Sequence, residues 1–342
     1  MIVSLESPYT RSETLWFDDG NVVLETEGVI FRTYTGILSR NSSIFQDMFA
    51  LPQPPGAEVL EGLPIVHLTD SAMDLINFLK ATHDARYRFN FNEILTSSSF
   101  YDTNSFYDID QISDFFVIAG VLRLSTKYNV PYLRKRSIKA LSSLYPSELS
   151  EFEACASSRS LRVRSFPGGH YAVVNLAREC DVHIVLPAAL YCCCIGRSIT
   201  APILDGIRVV GQDAESRCML SNEDKRLCLL TRSTLENRAQ NGVMAFLYGA
   251  INPATCVSRN VCNAARLTIL RGMKSKNANF AGSNPLLIGF KWHMFKELVC
   301  TACCQSSEES CNRERVALWS ELPTIFGLEA WPVLRAQLDS EE

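Results

Sequence analysis

The chain has no cysteine before Cys155, no long apolar run, only five histidines and no strong surplus of either charge. Each shortage closes off a class of protein. A membrane span needs about 20 consecutive apolar residues, whereas the most apolar stretch, Ile184 to Gly196, is shorter and contains Pro187. The N-terminus, Met1-Ile2-Val3-Ser4-Leu5-Glu6, has neither a basic leader nor a long apolar core. We therefore expect no signal peptide, and a reduced cytoplasmic or nuclear setting. With 33 Lys+Arg against 37 Asp+Glu, nothing favours a nucleic-acid or anionic-membrane partner. No G-x-G-x-x-G, P-loop, G-x-S-x-G elbow or H-E-x-x-H occurs, and His67, His83, His170, His183 and His293 are scattered. No enzyme is expected.

What is present is 342 residues, 47% of them hydrophobic, enough for two globular domains. We place an N-terminal extension at 1–13, a first domain at 14–145 and a helical second domain at 146–342. Asp18-Asp19-Gly20 between Thr14–Phe17 and Val22–Leu24 predicts a hairpin, because Gly accepts the positive φ of a tight turn. A further strand follows the Glu27-Gly28 break, making a small antiparallel sheet. Ile37 and Leu38, then Ile44, Phe45, Met48 and Phe49, predict two short helices with Ser42 as a cap. Ile65, Val66 and Leu68 form a strand, Thr69 or Asp70 can cap the next helix, and Ala72, Leu75, Ile76 and Leu79 share one stripe of it. Arg86 to Asp110 has no period and reads as a variable loop or edge strand. Val117, Gly120, Val121, Leu124 and Tyr128 form a stripe capped by Ser113, and Pro131 opens a helix carrying Leu133, Ile138, Leu141 and Leu144. The fold class is α+β, a small sheet packed with helices.

This region resembles the BTB/POZ domain. Val22, Leu24, Phe31, Ile37, Leu38, Ser42, Phe45, Met48 and Phe49 fall at the places of the pattern D-V-x-L-x-V-x-x-x-x-F-x-x-H-x-x-[VI]-L-x-x-x-S-x-x-F-x-x-M-F. Val121 to Leu133 is similar to the late helices of that domain, with their A-x-K-Y-x-V-x-x-L pattern. Gly36 to Ser42, Leu141 to Pro146 and the tail Trp319 to Trp331 most resemble the fungal BTB proteins with a helical C-terminal region. The resemblance implies a non-enzymatic protein–protein interaction role: dimerisation through the early strand and the helix around Gly36 to Asn41, with adaptor function for a cullin-based ubiquitin ligase as an extension. The alternative it implies is a BTB-containing transcription or chromatin regulator. Asn21 replaces the usual Asp and Tyr34 the usual His, which removes a carboxylate that in many family members lies in a charged groove at the dimer interface.

After Pro146 the pattern is helical: Ser147 to Cys155, Tyr171 to Cys180, Val182 to Ile195, a helix from the Ser221–Asp224 capping box to about Tyr248, one around Leu267 to Leu270, and one from Lys291 to Val299. Between Gly206 and Lys276 stand eleven Lys/Arg against five Asp/Glu; without a reader motif this is a solvated face. Two tryptophans and Phe326 in the tail must dock, and we expect them to dock on their own domain. All 13 cysteines lie in this half. Cys300-x-x-Cys303 has the spacing for two thiolates on one tetrahedral ion, and Cys256 with Cys262 offers a second pair. A structural Zn²⁺ held by Cys256, Cys262, Cys300 and Cys303 and plain core packing are the two readings, with Cys304, Cys311 and His293 as substitute ligands. Cys192-Cys193-Cys194 lies in an apolar helix and reads as core.

Overall fold

The computed structural model describes residues 9–52, 56–83, 115–157, 167–196, 199–208, 217–248, 253–275, 285–286 and 292–340. They form an α+β chain of two compact units that change over between Leu141 and Ser142.

The first unit runs β1 (Thr10–Trp16), β2 (Val22–Thr26), β3 (Val29–Thr33), α1 (Thr35–Asn41), α2 (Ser43–Ala50), β4 (Val59–Leu60), β5 (Leu63–His67), α3 (Ala72–His83), α4 (Phe115–Lys127) and α5 (Pro131–Ser142). Its sheet has the order β1-β3-β2-β5-β4 and is mixed, which corrects the antiparallel expectation. The hairpin is β2/β3, closed by Glu27 (φ 50°) and Gly28 (φ 78°), the two positive φ values of a tight two-residue turn. Asp18-Asp19-Gly20 does reverse the chain, but its two arms straddle β3: β1 pairs with β3 in parallel and β2 pairs with it antiparallel. Gly20 is required there, because a Cβ would stand 2.9 Å from both Arg32 Cγ and the Thr33 carbonyl.

Alternation along β2 separates two apolar layers. Val22 and Leu24 join Phe31, Leu38, Phe45, Leu75, Phe78, Val121 and Leu133 under the helices, while Val23 meets Ile30 and Ile65 on the opposite face. Ser42 caps α2, its hydroxyl accepting the Phe45 N–H at 3.0 Å. The cap expected from Thr69 or Asp70 is not made. The Ala72 N–H instead donates to the Glu27 carboxylate at 2.8 Å, and buried Asp70 takes Lys127 Nζ at 2.6 Å and the Tyr128 hydroxyl. Helix α4 is buried on more than one stripe; at Gly120 a Cβ would stand 3.0 Å from Asp74 Cα, so α3 and α4 approach closely. Arg86 to Asp110 and Ser113 lie outside the described residues, and α5 stops short of Leu144.

The second unit is mostly helical: α6 (Leu149–Ser157), α7 (Gly169–Glu179), a 3₁₀ turn at His183–Val185, α8 (Leu186–Cys194), α9 (Thr200–Asp205), the short antiparallel pair β6 (Ile207–Arg208) and β7 (Arg217–Cys218), α10 (Asn222–Arg238), α11 (Ala245–Tyr248), α12 (Arg259–Ser275), α13 (Trp292–Leu298), α14 (Thr301–Ile325) and α15 (Trp331–Ser340). The helix expected to continue to Tyr248 is broken by a π turn at Ala239–Val243. At Gly242 a Cβ would stand 3.2 Å from Glu314 Oε2, so α14 leaves little room. The tail docks on its own unit: Trp319 Nε1 donates to the Ser147 carbonyl at 3.0 Å, and Trp331 stacks on Trp319 with ring centroids 5.3 Å apart.

Candidate metal centre

Two helix N-termini bring the four predicted cysteines together. Cys256 ends a turn in which its N–H donates to the Pro253 carbonyl at 2.9 Å. Six residues on, Cys262 lies in the first turn of α12, its N–H bonded to the Ser258 carbonyl at 3.0 Å. Cys300 is the N-cap of α14, and Cys303 stands in the first turn. The wide spacing of the first pair is accommodated because one cysteine precedes its helix and the other is inside it.

The four sulfurs all lie within 4.8 Å of one another. Cys256 Sγ is 3.9 Å from Cys262 Sγ and 3.9 Å from Cys300 Sγ, far beyond a disulfide bond of about 2.05 Å. A tetrahedral ion with metal–sulfur bonds of about 2.3 Å holds its ligand sulfurs about 3.8 Å apart. The cluster therefore has the dimensions of a mononuclear four-thiolate site, and a multi-iron cluster would spread its ligands further. Cys262 and Cys303 are fully buried, while Cys256 and Cys300 are half-buried.

Local charge fits the same use. The Cys300 thiol is pulled down to about 6, chiefly because its sulfur accepts the Cys303 backbone N–H, with the Val257 N–H adding to it. Helix N-termini favour a thiolate in this way. Burial pushes Cys262 and Cys303 up, and on Cys303 the neighbouring thiols add to this. Four thiols this close ionise together only around a cation.

The substitute ligands lie outside the four-sulfur cluster. Cys304 and Cys311 are buried on α14 outside the four-sulfur group, and His293 is exposed. Cys193, Cys194 and Cys228 are buried, and burial pushes the neighbouring Cys192 up to about 12, as expected for cysteines that pack rather than ligate. A feature that spacing alone did not single out lies one turn behind the cluster. Arg266, 2% exposed, directs Nη1 at Asn263 Oδ1 and Nη2 at Ser307 Oγ, each at 3.5 Å.

The residues expected at an interface have local roles. Asn21 caps α1, accepting the Thr35 N–H at 2.8 Å and donating to Thr35 Oγ1 at 2.9 Å. The Tyr34 hydroxyl donates to Asp19. Gly36 is exposed, with open space where a Cβ would stand. The histidines occupy separate surroundings: His67 between Glu25 and Glu58, His83 against Thr33 Oγ1, His170 against the Tyr145 hydroxyl, and His183 beside Asp181. Among the described residues no helix is long and apolar enough to cross a membrane. No family model, curated protein or solved structure matches this chain.

Proposed function

We propose that the N-terminal unit is a BTB/POZ-type association module and that the protein acts without catalysis, as a scaffold or adaptor joined to a zinc-stabilised helical domain. The observation that carries this reading is the meeting of the two segments that resemble the family. Phe45 of the early pattern stacks on Tyr128 of the late one with centroids 4.4 Å apart, and the Ser42 hydroxyl between the early helices bonds the Tyr128 carbonyl. Residues 86 positions apart in the chain thus meet in one core, which also takes Val22, Leu24, Phe31, Leu38, Met48 and Phe49 of the matched positions.

Association is tested by light scattering. A dimer is expected for the full chain, through β1 and the α1 face. Gly36→Arg points into open space and leaves the unit folded, so it should yield monomer if the α1 face pairs. A wild-type chain that stays monomeric across a wide concentration range overturns the reading. Use as a cullin adaptor is a further part of the proposal, tested by whether the purified chain binds a purified cullin at micromolar concentration.

The helical domain holds a structural Zn²⁺ through Cys256, Cys262, Cys300 and Cys303, closed by four protein ligands with no open position for chemistry. Elemental analysis should find one zinc per chain, lost in Cys300→Ser.

A further inference from the structure

A Zn²⁺ ion with four thiolates carries a net charge of −2, and two of the four cysteines here are fully buried. Buried charge is expensive unless opposite charge lies close by. The two helices that supply the sulfurs repeat their arrangement one turn further on. Arg266 follows Cys262 by four residues on α12, and Ser307 follows Cys303 by four on α14. Residues four apart share a helix face, about 6 Å apart along the axis.

Both second-turn residues are buried, Arg266 at 2% and Ser307 at 3% exposure. The guanidinium reaches from α12 to α14, with Nη2 facing Ser307 Oγ at 3.5 Å. An arginine cannot shed its charge when buried, and helical side chains lean toward the N-terminus, here the end where Cys262 stands. We infer that Arg266, oriented by Ser307, is the countercharge of the thiolate centre: a positioning residue that raises metal affinity without touching the metal. This rests on the zinc reading above and deepens it, because it assigns the stability of the centre to a residue outside the ligand set.

The test uses the full chain and zinc alone, titrated against a competing chelator. Losing a partner that supports metal ligands typically costs 10–100-fold in affinity. Arg266→Met is expected to weaken zinc binding by that factor, Arg266→Lys to stay within a few-fold of wild type, and Ser307→Ala to fall between. In the cobalt-loaded protein, Arg266→Met should also shift the sulfur-to-metal charge-transfer band, which a packing role would leave in place. Wild-type affinity and an unmoved band in a folded Arg266→Met chain overturn the inference while leaving the zinc centre intact. If Arg266→Met does not fold, wild-type zinc affinity in Ser307→Ala overturns it instead. A wild-type chain that binds no zinc overturns both.

Discussion

Around Phe45 the N-terminal unit is held mainly by carbon, with four aromatic rings, seven leucines of the sheet and helices, and the Ser42 cap, all closed from solvent. Around Cys262 the C-terminal unit is built otherwise. Among the described residues of α12 only Cys262 and Arg266 are buried, and in α13 only Phe295, while Val257, Val261, Leu267, Met294 and Leu298 are left exposed. Apolar burial contributes about 25 cal/mol per Å², and α12 has little of it. The cysteine-free unit needs no staple because its sheet and helices bury one large layer, with a smaller one of Val23, Ile30 and Ile65 on the opposite face. The cysteine-rich unit gathers its four-sulfur cluster where α12 and α13 have little core, so the zinc proposed above would do there the work that leucines do in the other unit.

The sharpest break of this comparison is metal removal. Chelation should destabilise α12 to α14 by upward of about 5 kcal/mol, since structural zinc in small cysteine sites binds with about 10–16 kcal/mol. Amide exchange should quicken at Cys262 and Cys303 and stay unchanged at Leu24 and Phe31. Equal loss of protection in both units would end the distinction. The converse substitution is Phe45→Ala, fully buried and stacked on Tyr128. It should cost about 3–5 kcal/mol in urea unfolding of the N-terminal unit and leave zinc content at its wild-type value. Ser42→Ala removes both the cap on α2 and a bond to the Tyr128 carbonyl, for about 1–2 kcal/mol in the same measurement.

Local signals were readable wherever the partner lies nearby in the chain. The Glu27-Gly28 break, the Ser42 cap and Pro131 at the start of α5 each depend on a few neighbouring residues and stand as the sequence predicts, and the Cys300-x-x-Cys303 spacing does bring two sulfurs into one cluster. The sequence misleads where the partner is distant. A turn such as Asp18–Gly20 declares that the chain reverses, not that β3 lies between its arms. Asp70 has the chemistry of a cap, yet Lys127 and Tyr128 claim it from across the unit, and Glu27 serves α3 in its place. The π turn at Ala239–Val243 carries Gly242 up against Glu314 of α14, 72 residues further on, and nothing in its own few residues announces it. The tetrad was visible as spacing, whereas Arg266 and Ser307 were not, because an arginine and a serine four residues past two cysteines signal nothing until the helices are side by side.

The smallest effect concerns the sheet edge, where the N-terminal unit uses charge as it also does at the buried Asp70 with Lys127. His67 stands between Glu25 Oε2 at 2.6 Å and Glu58 Oε2 at 3.1 Å, while the Tyr9 hydroxyl donates to Glu58. The hydrogen bond that His67 Nδ1–H donates to Glu25 raises the His67 pKa above its ordinary value, and the same bond lowers that of Glu25. A raised histidine stabilises fully below its unfolded pKa of about 6.5 and loses this as pH rises through the folded value. A lowered glutamate stabilises above its unfolded pKa of about 4.3 and loses this as pH falls through the folded value. Both terms act together between those limits. His67→Gln should therefore lower stability most near pH 5.5 and hardly at all at pH 9. Because the His67 side chain is 50% exposed, solvent screening keeps the loss below about 1 kcal/mol. Burial lowers His83 and His170, which oppose this trend in any single pH profile. The difference between variant and wild type cancels them and isolates the clasp, and a difference that is flat from pH 5 to 9 would show that the sheet edge holds without it.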